Sequence, residues 1–157
     1  MYNKILGKRR VFKTGNTYRK EWIDKDILNL SKWIDRVNHV FPGFILDYGL
    51  DDTCMFIIMK NVEGTPADKI IHDDLFIEKM IDFCINNIKH TAPLAHMDWS
   101  MSNIIVNDNI IEMVDWDNLG LYPYSLVEYK LNHDLKLAFG NKLNNYIYLE
   151  KYNVQKF

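Results

Sequence analysis

Apolar residues early in the chain recur every three or four positions, which is the spacing of one face of an α-helix. The residues on this face are Ile23, Ile27, Leu30, Ile34 and Val37. Thr17 precedes the pattern and predicts the helix N-cap, because its hydroxyl can accept a hydrogen bond from an early backbone N–H. Phe41-Pro42-Gly43 predicts the helix end, since proline cannot continue a helix.

Short apolar runs bounded by turn-forming residues predict strands on both sides of this helix. Val11-Phe12-Lys13 predicts a short strand that Thr14-Gly15-Asn16 ends. Phe44–Tyr48 and Cys54–Lys60 predict two antiparallel strands joined around Asp51-Asp52.

Two more helical patterns lie in the second half of the chain. The first predicts a helix over about Asp73–Lys89. The second consists of Leu126, Leu131, Leu135 and Ala138. Gly140 follows it and predicts the C-terminal cap, because glycine adopts the left-handed backbone that such caps need.

Composition narrows the class of protein. At 157 residues, of which 48% are hydrophobic, the sequence predicts one domain over 1–157. The net charge of −2 argues against a nucleic-acid partner. The longest apolar run, Met55–Met59, is too short for a membrane span, and Met1–Arg10 has no signal-peptide pattern. Cys54 and Cys84 form no metal-ligand cluster, which predicts reduced thiols in a cytoplasmic protein.

Three polar residues surround a predicted β-hairpin formed by Ile104–Val106 and Ile110–Val114. Asp98 precedes Asn103 by five positions, and Asp115 follows the hairpin. Phosphoryl transfer from a nucleotide needs one carboxylate to orient and deprotonate the acceptor hydroxyl. It also needs an amide oxygen and a second carboxylate to hold the metal.

Each of these residues also has an ordinary structural interpretation. Asp98 could bond nearby N–H groups of a turn, Asn103 could open the hairpin, and Asp115 could pair with a lysine. A carboxylate directly after a buried strand is costly without a partner. The spacing of all three together favours the catalytic interpretation.

The segment His96–Asn103 and the triplet Asp115-Trp116-Asp117 resemble two motifs of the protein-kinase-like superfamily. They are most similar to the branch with the aminoglycoside phosphotransferases and choline kinases, whose motifs are H-x-D-x-x-x-x-N and D-[FW]-[DE]. The resemblance implies an α+β fold, a minimal protein-kinase-like fold. Residues of about 1–62 would form a reduced N-terminal lobe with an antiparallel sheet and one helix. Residues of about 63–157 would form a short, mostly helical C-terminal lobe that carries the catalytic hairpin.

The resemblance also implies an activity and residue roles. The chain would transfer the γ-phosphate of ATP to a hydroxyl of a small molecule. Asp98 would be the base, Asn103 and Asp115 would hold Mg, and His96 would support the loop. Lys13 would bind the phosphates, with Asp24 or Glu21 as its helix partner. The hinge beside the adenine would be Lys60, Asn61 and Val62.

Several features depart from the family pattern. The seven glycines form no G-x-G-x-x-G loop over the phosphates. Trp99 and Met97 replace the usual residues and are expected to reshape the acceptor pocket. Pro123 is followed by Tyr124-Ser125-Leu126, so the acidic brace that the family often has there is expected to be absent.

These departures leave other functions open. A pseudokinase-type module could bind nucleotide or protein without turnover, and a kinase could act on a protein partner. Aromatic residues suit either a homodimer face or the core of the smaller lobe. They are Tyr122, Tyr124, Tyr129, Tyr146, Tyr148 and Tyr152.

Overall fold

The structure, a computed structural model, describes residues 9–23 and 26–157. The chain divides into two compact units, one ending at Val62 and the other formed by Glu63–Phe157. In chain order the elements are β1 (Arg9–Thr14), β2 (Thr17–Trp22), α1 (Ile27–Val40), β3 (Ile45–Leu50), β4 (Met55–Lys60), β5 (Thr65–Pro66), α2 (Asp74–Thr91), β6 (Leu94–Ala95), β7 (Ile104–Asn107), β8 (Ile110–Met113), β9 (Gly120–Leu121) and α3 (Tyr124–Phe139). Among the described residues, no helix has the length and apolar character needed to cross a membrane.

The unit that ends at Val62 is an antiparallel sheet with one helix. The strand order is β1-β2-β4-β3. Strand β4 alternates buried and half-buried side chains, as expected when one face of a sheet is covered. Helix α1 contributes to that cover, because the Trp33 ring meets the Trp22 ring of β2 edge to face at 6.4 Å. The buried residues of α1 are Leu30, Trp33, Ile34, Val37 and Val40.

Thr17 begins strand β2 and does not cap helix α1, so the predicted helix start was wrong. Thr17 pairs with Thr14 across the β1–β2 turn, and its hydroxyl donates to the Thr14 carbonyl at 3.0 Å. The observed N-cap is Asp26. Alternation explains the strand, since Lys20 and Trp22 are buried while the residue between them is not.

In the Glu63–Phe157 unit, α2 and α3 pack with two small sheets, ordered β5-β7-β8 and β6-β9. The predicted helices are confirmed, with Asp73 as the N-cap of α2 and Gly140 as the C-cap of α3. Fully buried residues of the two helices include Met80, Cys84, Ile88, Leu131 and Leu135. Each such aliphatic side chain stabilises the fold by about 1.5–3 kcal/mol.

Strands β7 and β8 form the predicted hairpin, paired from Ile104 with Met113 to Asn107 with Ile110. Asp108 in the turn has φ 51°, a left-handed conformation that aspartate tolerates. Because the strands are antiparallel, the residue that follows β8 returns to the loop that precedes β7. The hairpin therefore brings the two sequence motifs together.

Candidate active site

His96 joins the two motifs from a fully buried position. Its Nε2 donates to the Val114 carbonyl at 2.9 Å, and its Nδ1 accepts from the Asp98 N–H at 3.3 Å. The ring also meets the Trp116 ring edge to face at 4.8 Å. Burial lowers the pKa of His96, which agrees with a neutral ring that donates at one nitrogen and accepts at the other. These contacts suit a supporting residue.

Asp98 is half-buried and follows Met97, whose φ of 63° turns the chain sharply. Its Oδ1 accepts from the Ser100 N–H at 3.3 Å and from the Ser100 hydroxyl at 2.5 Å. Its Oδ2 makes no hydrogen bond within the described residues. Asp98 is thus a turn aspartate through one oxygen, while the other oxygen can receive a proton.

Trp99 is packed in the interior, and its expected effect on an acceptor pocket stays a prediction. The side chain is fully buried, and its indole N–H donates to the Asn87 amide of α2 at 3.4 Å. The Trp99 backbone N–H donates to Asp134 Oδ2 of α3 at 2.9 Å. Met97 is also buried. Both side chains are packed in the interior.

Asp134 is an acidic brace that the sequence did not predict. It lies well inside α3, whereas the first turn of that helix, directly after Pro123, holds no acid, as expected. Its side chain is 4% exposed. Lys130 donates to the same carboxylate, and His133 Nδ1 lies 3.3 Å from it. A buried carboxylate needs such partners to remain charged. Asp134 therefore fixes the backbone one residue after Asp98.

Asn103, the last residue of the first motif, connects the Asp98 loop to the end of the hairpin. Its side-chain amide donates to the Asp98 carbonyl at 3.4 Å, and its own carbonyl accepts from the Val114 N–H at 2.8 Å. Asp115, which follows Val114, has φ 58° and ψ 66°. Val114, which precedes Asp115, bonds both Asn103 and His96, and these two residues both bond the Asp98 backbone. The structure brings together all four motif residues.

The lysine and the acid that were expected to serve the phosphates do not form the expected strand-to-helix pair. Lys13 is exposed on β1, with its ammonium group 5.7 Å from the Tyr18 ring. Glu21 lies on β2, not on the helix, because the helix begins only at Ile27. Asp24 lies outside the described residues.

Glu21 is already paired in the structure. Its carboxylate contacts Arg19 Nε at 2.7 Å and the Arg10 guanidinium at 3.1 Å. The proposed pairing of Glu21 with Lys13 is therefore not what the structure shows.

Lys20 is the residue that sequence reasoning missed. It is 5% exposed, pairs with Ile57 of β4, and lies on the strand that directly precedes α1. A lysine side chain is almost never fully buried unless it is paired. The sequence signal that could have revealed its burial is the alternation of residues 17–22, which places Lys20 on the same face as Trp22.

Of the three predicted hinge residues, Lys60 ends β4, and Asn61 and Val62 follow it. The Lys60 N–H donates to the Phe44 carbonyl at 2.9 Å, and the Asn61 N–H donates to the Asn16 carbonyl at 3.2 Å. In the part of the chain that the structure describes, the Val62 N–H makes no hydrogen bond. Of the three predicted hinge residues, Val62 is therefore the one whose backbone N–H could serve the predicted role.

Taken together, an antiparallel sheet with one helix, a catalytic-type loop and a hairpin ending in aspartate define a kinase-like fold. Comparison with solved structures finds the same class. A crystal structure of monomeric WbdD matches with a TM-score of 0.56 and 12% identity, covering 84% of this chain and 37% of that chain. A structure of the bifunctional kinase-methyltransferase WbdD matches with a TM-score of 0.54 and 13% identity, covering 82% and 34%.

The chain thus spans about a third of the length of the proteins it matches. At these identities the likeness establishes the fold and nothing finer. No protein-family model and no curated protein sequence matches the chain. The fold is α+β and kinase-like, as the sequence predicted.

Proposed function

We propose that the chain is an ATP-dependent phosphotransferase that moves the γ-phosphate to a hydroxyl of a small molecule. One observation carries the proposal. Asp98 has one oxygen fixed by Ser100 and one oxygen without a hydrogen bond in the described chain, on a loop anchored by His96. Asn103 donates to the Asp98 carbonyl, and Asp115 directly follows Val114, whose carbonyl accepts from His96.

Asp98 is proposed as the base. The acceptor hydroxyl would donate to Asp98 Oδ2, which holds the hydroxyl oxygen in line with the γ-phosphorus. The new oxygen–phosphorus bond forms as the bond from that phosphorus to the bridging β–γ oxygen breaks. The proton passes to the carboxylate and ADP leaves. Ser100 keeps the carboxylate from rotating during this transfer.

Asn103 and Asp115 fit a divalent metal by their chemistry. Amide and carboxylate oxygens are hard ligands of the kind that Mg²⁺ prefers, and Mn²⁺ accepts the same donors. Asn103 donates its N–H to the Asp98 carbonyl, which leaves its amide oxygen for a metal. When bound, the metal would offset the negative charge of the phosphates.

A module that binds nucleotide or protein without turnover is the second candidate, and helix α1 favours it. Active protein kinases pair the phosphate-binding lysine with a carboxylate of the corresponding helix. Within the described residues, the only acid of α1 is Asp35, and its side chain is exposed. The pair would then be incomplete on the helix side.

Turnover separates the two candidates. The purified chain would be incubated with ATP, MgCl₂ and panels of monosaccharides, polyols and amino alcohols, and ADP release measured. Because Asp98 would act in the transition state, Asp98→Asn should reduce the rate by at least about 100-fold. Asp108→Asn, the same replacement at the exposed hairpin turn, is the matched control and should keep the rate. Equal rates in wild type and Asp98→Asn, or none in either, would favour the binding module.

A further inference from the structure

A cavity of about 430 Å³ lies on the outer side of α3, away from the residues assigned above. Its walls include Tyr129, His133, Lys136, Asn144, Asn145 and Tyr146. One wall is the irregular segment after α3. Asn132 holds that segment in place, since its amide donates to the Ile147 carbonyl at 2.9 Å and accepts from the Ile147 N–H at 2.7 Å. The cavity therefore has a fixed frame.

The lining determines the charge of a suitable ligand. No acidic side chain lines this cavity, whereas Lys136 and His133 do. Within the described chain, the Lys136 ammonium makes neither an ion pair nor a hydrogen bond. A neighbouring cavity of about 620 Å³ shares the wall of Asn144, Asn145 and Tyr146, but it is lined by Asp74 and Glu78 as well as by Lys142. The first cavity is therefore the one whose charged lining suits an anion.

The remaining walls determine the ligand body. Tyr129 is 60% exposed and Tyr146 46%, so both rings offer apolar faces at the cavity. Aromatic walls with a few polar groups are typical of small-molecule sites, and this volume is within their usual range. The carboxamides of Asn144 and Asn145 can bond hydroxyl groups on a ring.

The cavity is connected to the catalytic loop by two contacts. His133 lines the cavity, and its Nδ1 lies 3.3 Å from Asp134 Oδ1. Asp134 Oδ2 accepts the Trp99 N–H at 2.9 Å, directly after Asp98. A ligand that draws His133 toward itself would change the environment of Asp134 and hence of the loop.

We propose that this cavity binds a small ring compound carrying one phosphate or carboxylate group, and that binding is transmitted to the catalytic loop through His133 and Asp134. Ligand binding is independent of the proposed function. Only an effect on turnover would rest on it. The tests below therefore measure binding and loop response without nucleotide.

Calorimetry on the full chain would use α-D-glucosyl phosphate and p-hydroxybenzoate as probes, which distinguish a sugar phosphate from an aromatic acid. Methyl α-D-glucoside and p-hydroxybenzyl alcohol are their uncharged counterparts. We expect at least one anion to bind and its counterpart to bind at least about tenfold more weakly. Lys136→Gln should weaken binding by about tenfold. Lys151→Gln, which removes a lysine that does not line the cavity, should leave it unchanged.

Amide NMR spectra test the connection. Saturating probe should shift the Trp99 backbone signal in wild type, and His133→Phe should abolish that shift even at probe concentrations that saturate the variant. No binding of either anion at millimolar concentration, or equal binding by Lys136→Gln and wild type, would overturn the site. Binding without any Trp99 shift would overturn the connection. Absence of turnover in the wild type would overturn only the proposed function.

Discussion

At the scale of single residues, Asp134 is the side chain on which the catalytic loop depends most directly. It is buried on α3 and accepts the Trp99 N–H. Burial is the main cause that raises the pKa of the Cys84 thiol, and the charge of Asp134 raises this pKa further, so the thiol stays protonated. The loop that carries Asp98 is therefore held by a carboxylate outside both sequence motifs.

We expect Asp134→Ala to lower the free energy of unfolding by about 1–3 kcal/mol, because it leaves a buried N–H without an acceptor. Asp134→Asn keeps an acceptor oxygen and should cost less. Urea unfolding measures both, with Asp82→Ala on the exposed side of α2 as the control. Equal stability of Asp134→Ala and wild type would show that the loop does not need this bond.

Sequence patterns could identify the catalytic motif but not its support, for a physical reason. Asp98, Asn103 and Asp115 are recognisable by spacing along the chain. Asp134 follows Lys130 by four positions, which is equally typical of an ion pair on a solvated helix face. Its contact with Trp99 joins residues 35 positions apart, and no local pattern reports such a contact.

At the scale of elements, the assignment of β2 decides which lysine the structure buries, and hence which lysine we propose for phosphate binding. Ile23 and Ile27 continue the helical spacing backwards, so the sequence extended α1 toward Thr17. In the structure, residues 17–22 form a strand instead. The alternation of this strand buries Lys20, whereas Lys13 is exposed on the neighbouring strand. Tertiary pairing thus overrides the local helical spacing here.

We expect Lys20→Met to reduce the Mg-ATP affinity by at least about tenfold, because a buried ammonium near phosphates has no substitute. Lys13→Met is the matched control and should change the affinity by less than about twofold, since an exposed strand lysine contributes little. Fluorescent-nucleotide titration measures both variants. The reverse order of effects would restore Lys13 as the phosphate-binding lysine.

The clamp between α3 and the C-terminal segment is a second prediction at this scale. The Asn132 side chain makes two bonds to Ile147 and one to the Glu128 carbonyl at 2.9 Å. We expect Asn132→Ala to speed hydrogen exchange at the Ile147 amide and to destabilise the fold by about 1–3 kcal/mol. Asn144→Ala, without such bonds, is the control. Unchanged exchange at Ile147 would rule out the clamp.

At the scale of the whole molecule, the order of elements was predicted well from Ile45 onward and less well before it. Helices α2 and α3 and the β7–β8 hairpin follow local spacing and turn residues, which a sequence displays directly. Strand β2 and the pairing of β6 with β9 depend on partners far along the chain. The kinase-like resemblance, which was carried by His96–Asn103 and Asp115, predicted the fold class but neither of these two features.

Nucleotide binding is a property of the whole folded chain and can be measured as stability. A ligand that binds only the native state at 100 times its Kd adds about 2.7 kcal/mol, which for this size raises Tm by about 5–10 °C. We expect Mg-ATP to produce such a rise and Asp115→Asn to lose it, because the variant removes the charge that would hold the metal in the proposed site. Asparagine tolerates the left-handed backbone of Asp115 at φ 58°, so the replacement adds little strain.

Asp108→Asn is the matched control for this experiment, since Asp108 has a similar φ of 51° and lies exposed at the hairpin turn. It should keep the full Mg-ATP-dependent rise. A rise that persists in Asp115→Asn would remove Asp115 from the metal site while leaving nucleotide binding intact. No rise in the wild type at millimolar ATP would mean that the kinase-like fold binds no nucleotide by itself, and a protein partner would become the leading candidate ligand.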